Sequence, residues 1–438
     1  MSQSEPSAVG APAALHGENH GLTRRNVDEI RLIVVLAVCA ALVFVNRGGI
    51  AFLFPMIKPE LHLSNTQLGQ LMSATSLAWA FSSVCTSLAS DLLGIRPRTL
   101  IVICALGFSI VGALAGAVST FPALLALRAA MGLFEGPVIP LIQATITTAS
   151  PAKRRGANLG LIIGGSGLVG SVLAPPLMTG LASTLGWRFA FLAIAAPGPF
   201  VALAVWFVMR PGGPAGTIAV VARLDLRPAL RLAARRNILL GAIGAISLIG
   251  SAIALISFLP LYLASLPAFS TGDRMAFFIG LGVTTHIGGI VLSALSDRLG
   301  RRACLVAACL CSTAAPIAVA LLSVSAWWVI PAILLHFVAG GALTLMVYVV
   351  PGETVPPKMA ASTFAALLFV GEIIGGATAP TLAGWVADRH GLASAQLVCS
   401  ALAAVALLAA LFVQEAVPTA MQPEGQRDPP PALPESAI

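Results

Sequence analysis

The sequence predicts an all-α membrane protein with twelve transmembrane helices in two pseudo-symmetric bundles of six helices each. Its composition, the spacing of its apolar runs and an internal repeat lead to this prediction. Hydrophobic residues make up 58% of the chain and charged residues 10%, against about 45–50% and 25% in an average soluble domain. Such a chain buries its apolar runs in a bilayer, where each spanning helix needs about 20 residues.

Charged residues and proline- or glycine-containing breaks divide the apolar sequence into twelve predicted spans. In order, the spans cover residues 31–57, 67–90, 99–118, 122–148, 159–185, 188–209, 237–264, 275–295, 303–324, 327–350, 361–386 and 393–413. The first six spans form the predicted N-terminal bundle, residues 31–209, and the last six form the C-terminal bundle, residues 237–413.

Three segments lie outside the predicted bundles. The polar, proline-containing segment 210–236 separates them and is the expected cytoplasmic linker. Residues 1–30 and 414–438 are polar and rich in small residues, and residues 429–431 are three successive prolines. Because such segments bury too little apolar surface to offset the entropy of folding, both are expected to be disordered tails.

Lysine and arginine are distributed unequally between the two sides of the predicted bundle. Of the 25 basic residues, nineteen lie on the side that carries both termini and the linker, and the opposite side holds only Lys58, Arg188, Arg274 and Arg389. The positive-inside rule therefore places both termini in the cytoplasm of a bacterial inner (plasma) membrane. The net charge of +8 follows from this topology, so no nucleic-acid partner is expected.

The two halves also repeat in sequence. Pro151 and Lys153 match Pro356 and Lys358 at an offset of 205 residues, and Gly170 and Pro175 match Gly375 and Pro380 at the same offset. Asp91 and Gly94 match Asp297 and Gly300 at an offset of 206. A nearly constant offset at three separate places indicates duplicated halves, an arrangement in which substrate sites lie between the repeats near the midplane.

No motif of an enzyme or of an ATP-driven pump accompanies this pattern. The seven cysteines fall inside apolar runs without the spacing of a metal site. The glycine run at 164–170 lies within a predicted membrane helix and lacks the strand–turn–helix context of a nucleotide-binding loop. We therefore expect no enzymatic activity, no metal and no cofactor.

Arg47 is the most informative residue of the first span. It lies sixteen residues beyond Arg31, about 24 Å along a helix, and therefore deep in a hydrocarbon core about 30 Å thick. Arginine at such depth normally faces a polar cavity and marks a substrate path, and its planar guanidinium suits carboxylate oxygens. We expect Arg47 to bind an anionic solute with Asn46 as a further contact; permanent pairing of Arg47 to a carboxylate is the structural alternative.

The fourth and eleventh spans carry the other deeply placed charges. Arg128 and Glu135 are seven residues apart, two turns along one face of the fourth span. Glu135 is the candidate proton carrier, because burial raises the pKa of a carboxyl group and a nearby arginine lowers it; a fixed ion pair with Arg128 is the alternative. Glu372 is a second candidate for proton or substrate binding. His286 and His336 are more simply explained as helix–helix hydrogen-bonding groups.

Two cytoplasmic loops resemble a known superfamily motif. The run DRLGRR, residues 297–302, resembles the loop motif of the major facilitator superfamily, and DLLGIRPR at 91–98 is a weaker copy that lacks the arginine directly after Asp91. The resemblance covers about residues 30–415 and implies the major facilitator fold. It assigns a cytoplasmic gating role to Asp91, Gly94, Arg96, Asp297, Arg298, Gly300, Arg301 and Arg302.

Within that superfamily, the segments at 46–74, 128–140 and 351–356 resemble the anion:cation symporter family, which includes proton-coupled carriers of sugar acids and other carboxylates. The resemblance implies that Arg47 binds the anion, that Glu135 is the coupling acid and that Arg128 is its neighbour. The chain departs from the sugar-acid carriers at Asn46, where they often have aspartate, and near Gly167, where they often have glutamine. A less hydroxylated carboxylate and a second proton site at Glu372 are therefore open alternatives.

The sequence thus predicts a monomeric secondary transporter that imports a small organic anion, a carboxylate or a sugar acid, by proton symport through alternating access. Sodium remains open as the coupling ion. An exporter or exchanger of organic acids or drugs is the alternative within transport. A transporter-like anion sensor is the alternative from another class, although the short loops hold no signalling domain.

Overall fold

The computed structural model describes residues 13–209 and 234–415, which form twelve helical segments and the loops between them, without a strand. The segments are α1 Ala13–Glu60, α2 Asn65–Leu93, α3 Pro97–Ala115, α4 Phe121–Ala149, α5 Ala152–Leu185, α6 Trp187–Val208, α7 Arg236–Ala264, α8 Thr271–Leu299, α9 Arg301–Ser323, α10 Ala326–Thr354, α11 Met359–His390 and α12 Ala393–Leu411. The predicted all-α architecture of twelve spanning helices is confirmed.

The helices have the length and the surface of membrane spans. Ten of them, α3 to α12, are long and apolar enough to cross a bilayer. Large apolar side chains are exposed on the outside of the bundle, among them Phe200, Phe207 and Ile290, each more than 70% exposed. Such a surface is stable in contact with lipid, whereas a soluble protein rarely exposes extended apolar patches.

Each half has buried apolar clusters of its own, and a further cluster joins the halves. One cluster of buried apolar side chains lies within α1–α6 around Leu36, Phe108 and Ile142, and two lie within α7–α12 around Leu305 and Tyr262. The largest cluster combines Leu53 and Phe54 of α1 with Phe258 of α7 and other residues of both halves. The two bundles therefore meet through an apolar interface.

The backbone repeats where the sequence repeats. Pro151 before α5 and Pro356 before α11 have nearly identical dihedrals, φ −56°, ψ 143° and φ −57°, ψ 144°. Gly94 and Gly300, which end α2 and α8, both have positive φ, a conformation that favours glycine. A further matching pair not predicted above is Gly186 and Gly391, with φ of 85° and 83° at an offset of 205. The duplicated halves thus share turn geometry as well as sequence.

The N-terminal tail differs from its prediction. Residues 1–30 are expected to be disordered, but α1 begins at Ala13. The segment 13–30 consists mostly of residues that tolerate a helix, and extending a formed helix adds about one hydrogen bond per ordered residue. Glu29 also binds Arg154 at 2.7 Å and Asn158 at 2.8 Å, both in α5. The remainder of the N-terminal tail, nearly all of the linker and the C-terminal tail beyond Glu415 lie outside the described residues.

The two halves approach each other at one end of the bundle and diverge at the other. We call the end with the loops at 94–96, 150–151 and 355–356 the basic end, and the opposite end the far end. Along one face of α5, Ser171 touches Gly282 of α8 and Gly167 faces His286 of α8, whereas no described atom would lie within 4 Å of a Cβ at Gly164. Gly160 and Gly156, further toward the basic end, are equally open. The space between the halves therefore opens toward the basic end.

The far end is closed by contacts between α2 and α11. A Cβ at Gly69 would lie 2.2 Å from the carbonyl oxygen of Pro380, so the two backbones touch. Ser73 and Thr381 are hydrogen-bonded at 2.8 Å, and Phe52 packs edge-on against Phe278.

Asp388 of α11 completes the N-terminus of α2 across this interface. Its carboxylate accepts the backbone N–H groups of Asn65 and Thr66, each at 2.8 Å, and the Thr66 hydroxyl at 2.6 Å. The next N–H, that of Gln67, is capped within the first half by Ser64. Because free N–H groups and the helix dipole favour an anion at this position, Asp388 holds the far end closed.

We expect Asp388→Asn to shift the protein toward an open far end by about fivefold, since the loss of a charged cap costs roughly 1 kcal/mol. Spin labels at Ser183 and Ser265, exposed far-end positions in different halves, would report the change as a larger long-distance population, after Cys85 is replaced by serine. Asp273→Asn is the matched control, because Asp273 caps α8 within its own half. An unchanged distance distribution in the Asp388 variant would contradict this role.

Candidate anion-binding site

Arg47 lies between the two halves at mid-depth and remains 15% exposed. Its Nη2 atom donates to Oε2 of Glu372 in α11 at 2.6 Å and to the Ser76 hydroxyl in α2 at 3.4 Å. The guanidinium carbon lies 4.3 Å from the centre of the Trp79 ring, within the range of a cation–π contact. Arg47 is thus held by the first half and paired with a carboxylate of the second half.

Glu372 reaches this position from an unusual turn of α11. Residues Gly371–Gly376 form a π-helical turn, a feature that occurs frequently at functional sites. Three residues further on, a Cβ at Gly375 would lie only 2.0 Å from the carbonyl oxygen of Ile246 in α7. Close packing on α7 therefore directs Glu372 toward α1 and α2, where its side chain is 18% exposed.

Arg128 and Glu135 lie in the interior of the first half. Arg128 is 1% exposed and Glu135 is 0% exposed. Arg128 Nη2 donates to the carbonyl oxygen of Arg47 at 3.2 Å, so α4 contacts the backbone that carries the anion-binding candidate. Glu135 interacts electrostatically with Arg128 and Arg47. Since Arg47 also pairs with Glu372, the structure brings all four predicted deep charges into one cluster.

The buried charges of α4 are incompletely hydrogen-bonded. Both carboxylate oxygens of Glu135, and Nε and Nη1 of Arg128, have no hydrogen-bond partner among the described residues. Arg128 and Glu135 are therefore not hydrogen-bonded to each other, and the alternative of a fixed ion pair gains no support from this arrangement. An unpaired buried carboxyl group is costly in its charged form, which is the physical requirement for a group that gains and loses a proton.

Small residues bring α4 close enough to form this cluster. A Cβ at Gly132 would lie 2.4 Å from the carbonyl oxygen of Thr75, and a Cβ at Gly136 would lie 2.3 Å from that of Trp79. The α4 backbone therefore rests directly on α2. Pro137 follows at once, and the helix continues from Val138.

Asn46 does not share the surface of Arg47. Its side chain is 7% exposed and donates to the carbonyl oxygen of Leu42 at 2.9 Å. Its Oδ1 faces Gly112 of α3, inside the first half. Because neighbouring residues of a helix point about 100° apart, the side chain of Asn46 turns away from the cavity, and its predicted contact with the substrate gains no support from this position.

The two histidines have different surroundings. His336 is buried, and its Nδ1 is 2.7 Å from the carbonyl oxygen of Ala332, one turn earlier in α10. His286 makes the same local contact with Gly282 at 2.8 Å, but its Nε2 faces Gly167 of the other half. His286 thus lies at the interface between α5 and α8, while His336 stays inside the second half.

The predicted gate residues of the second half form a compact network at the basic end. Arg301 pairs with Glu353 of α10 at 2.8 Å and with Asp297 of α8 at 2.5 Å. Arg302 donates to the carbonyl oxygen of Leu411 at 2.6 Å, and Gly300 has φ of 93°. These contacts join α8, α9, α10 and α12 within one half. Arg298 is exposed.

The first-half copy is looser. Gly94 has φ of 62° and Arg96 precedes α3 with an exposed side chain. Arg98 stacks on Trp206 at 3.7 Å and donates to the carbonyl oxygen of Met209 at 3.2 Å, which attaches α3 to α6. The side chain of Asp91 lies outside the described part, so its gating role stays a prediction.

Two residues of the site were not predicted above. Ser76 and Trp79 of α2 contact Arg47 and lie one turn apart. Together with Ser73 they form a polar stripe at i, i+3 and i+6, the spacing of one helical face. That stripe is the signal from which the sequence could have indicated them.

The fold, the repeat and the central cation identify the class of protein. The family model of the Major Facilitator Superfamily matches residues 36–380, and the chain belongs to this superfamily of membrane transporters. The predicted family is confirmed at this level.

Curated relatives carry names of anion and drug transporters. The chain is 26% identical over 203 residues to the probable L-galactonate transporter of Escherichia coli, covering 46% of this chain and 44% of the relative. It is 28% identical to the hexuronate transporter of Bacillus subtilis, over 44% of each chain. It is 30% identical to the multidrug resistance protein MdtG of Dickeya zeae over 67% of this chain and 76% of the relative. The chain thus spans less than half the length of the two sugar-acid relatives.

Solved structures support the fold. A bacterial homologue of the human lysosomal transporter Spinster, in an inward-facing and unoccupied conformation, superposes with a TM-score of 0.67 at 20% identity. The alignment covers 88% of this chain and 96% of that one.

Proposed function

We propose that this protein imports a small organic anion, a sugar acid or a related carboxylate, together with protons by alternating access. The observation that carries the proposal is Arg47, a cation at mid-depth that belongs to one half, faces the other half and remains partly exposed. A carboxylate bound there would gain charge-assisted hydrogen bonds. The names of the L-galactonate and hexuronate relatives support a sugar acid.

The orientation of the loops assigns the two ends of the bundle to the two sides of the proposed import cycle. With the basic end in the cytoplasm, both termini are cytoplasmic and the described arrangement is open to the cell interior. The closed far end, held by Asp388, then faces the outside. Solute captured from outside is released through the opening along α5 and α8, and the gate network of Arg301 and Glu353 rearranges when the basic end closes. One monomer contains all of these parts.

Glu135 is the proposed coupling acid. Protonation neutralises its attraction for Arg47 and Arg128, with which it interacts electrostatically. Arg47 is then more available to the solute carboxylate. Loss of the proton on the cytoplasmic side restores the attraction and favours release, so that one proton accompanies the solute through this group.

The test is uptake by purified protein in liposomes from a panel of carboxylates, L-galactonate and hexuronates included, with and without an inward pH gradient. We expect accumulation of at least one sugar acid, about tenfold per pH unit for each coupled proton, because one unit corresponds to 1.36 kcal/mol. Empty liposomes and liposomes without a pH gradient are the controls. The absence of gradient-driven uptake across the panel would refute the proposal.

Export is the second candidate, favoured by the 30% identity to the multidrug resistance protein MdtG. An exporter would move solute out against the direction of proton flow. The same liposomes, loaded with solute and placed in a more acidic medium, distinguish the two. The inward proton gradient slows net efflux of solute through a symporter and accelerates it through an antiporter.

A further inference from the structure

The ion pair between Arg47 and Glu372 links the two halves at the point where the substrate is proposed to bind. The two residues are 325 positions apart, and their side-chain atoms lie 2.6 Å from each other. Arg47 keeps its other contacts, with Ser76 and Trp79, inside the first half. Any rocking of one half against the other therefore acts on this pair.

Glu372 presents to Arg47 the same chemical group as the expected solute. Its Oε2 atom lies 2.6 Å from Nη2 of the guanidinium, and both side chains are partly exposed, at 15% and 18%. A guanidinium has room for one bidentate carboxylate on a given edge. The solute and Glu372 therefore compete for the same cation.

The surroundings of Glu372 leave Arg47 as its charged neighbour. In the same turn of α11, Gly375 packs on Ile246 of α7, and Gly376 lies near Ile253 of α7 and Ser76 of α2. Behind Arg47, in the first half, lie Arg128 and Glu135. If a solute carboxylate takes Arg47, an ionised Glu372 stays next to a second anion in a half-buried position without another described cation within hydrogen-bond distance.

From this arrangement we infer that the carboxylate of Glu372 occupies the subsite of the solute carboxylate on Arg47 and takes up a proton when the solute displaces it. The inference rests on the proposed function and deepens it. The proton adds to Glu372 from the aqueous opening and no covalent bond to the solute forms. After release, Glu372 loses the proton and pairs with Arg47 again.

This competition couples proton and solute directly. A carrier that has bound the anion but not the proton holds two anions at one arginine. Because these anions repel each other, its two halves do not close around the solute. A carrier that has released both is neutral at this point and its halves can move. With Glu135 as the other acid, two protons accompany each monovalent anion, so transport carries a net positive charge.

The experiment compares wild type with Glu372→Gln in liposomes, with L-galactonate as the probe. At zero membrane potential, wild type should accumulate it up to about a hundredfold per pH unit and respond to an inside-negative potential, whereas Glu372→Gln should reach about tenfold and lose the response to potential. In detergent at high pH, the variant should bind L-galactonate more tightly than wild type, because the competitor is gone. Glu372→Asp keeps a titrating group and should keep the wild-type number of protons transported per anion.

Glu60→Gln is the matched control, since Glu60 also pairs with an arginine at 2.6 Å but within one half; it should behave as wild type. A wild type that moves one proton without response to potential overturns the inference and leaves the proposed function standing. So does a Glu372→Gln protein that folds but binds more weakly, as a purely structural partner would predict. Absence of any pH-driven anion uptake by wild type refutes the proposed function instead.

Discussion

Arg47→Ala is expected to abolish measurable binding and uptake of the anion. Truncation of a hydrogen-bonded charge in a desolvated site costs about 2–5 kcal/mol, which is roughly 30-fold to more than a thousandfold in affinity. The variant also leaves Glu372 without its 2.6 Å partner, which adds repulsion toward an incoming carboxylate. Binding measured by calorimetry on the purified protein, and uptake into liposomes, would show the loss.

A second variant of Arg47 separates the effect of its charge from that of its geometry, and a variant elsewhere serves as the control. Arg47→Lys keeps the positive charge but lacks the planar fork, so it should retain part of the binding and lose selectivity for carboxylates. Arg389→Ala is the control, because Arg389 is an exposed arginine that stacks on Trp385 at the far end. If Arg47→Ala bound and transported the anion as wild type does, the central assignment would be wrong.

Glu135→Gln is expected to uncouple transport from the pH gradient while it leaves exchange intact. Glutamine has nearly the same shape as glutamate but does not titrate, so one proton per cycle is lost. The accumulation supported by one pH unit should fall by about tenfold. Counterflow, in which labelled solute outside exchanges for unlabelled solute inside, should persist, since it needs no net proton movement.

The control for this variant is a carboxylate outside the cluster. Asp273→Asn alters a far-end helix cap within the second half and should preserve accumulation. A Glu135→Gln protein that accumulates solute as well as wild type would show that another group carries the proton. Loss of both accumulation and counterflow would point to a structural role for the buried carboxyl group.

Much of the fold was predictable because a bilayer imposes simple rules on sequence. Apolar runs long enough to span, basic loops on one side and an offset of 205–206 residues between matching motifs indicated twelve helices in two halves. The turn glycines Gly94 and Gly300 adopt the positive φ that their repeated positions suggest. The prediction of a disordered tail was wrong at residues 13–30. Local composition did not reveal that Glu29 would pair with Arg154 and Asn158 in α5.

The candidate site was predictable as a set of residues and much less as an arrangement. A charge in the middle of an apolar run is costly, so Arg47, Arg128, Glu135 and Glu372 stand out in the sequence alone. Which of them meet was not evident: Glu372 joins Arg47 across 325 positions. Asn46, adjacent to Arg47 in sequence, turns toward α3 instead.

The sequence by itself determined that this chain is a two-fold repeated, twelve-helix membrane protein with charges inside its apolar runs, because hydropathy and charge act residue by residue along each helix. The tertiary structure alone decided which faces meet: the close glycine contacts of α2 with α11 and of α4 with α2, the cap that Asp388 provides for the other half, and the carboxylate that reaches Arg47. These depend on how helices distant in sequence pack, where a rotation of one residue turns a side chain by about 100°. For that reason Arg47 could be named as a candidate site from the sequence, while the carboxylate that pairs with it could be found only in three dimensions.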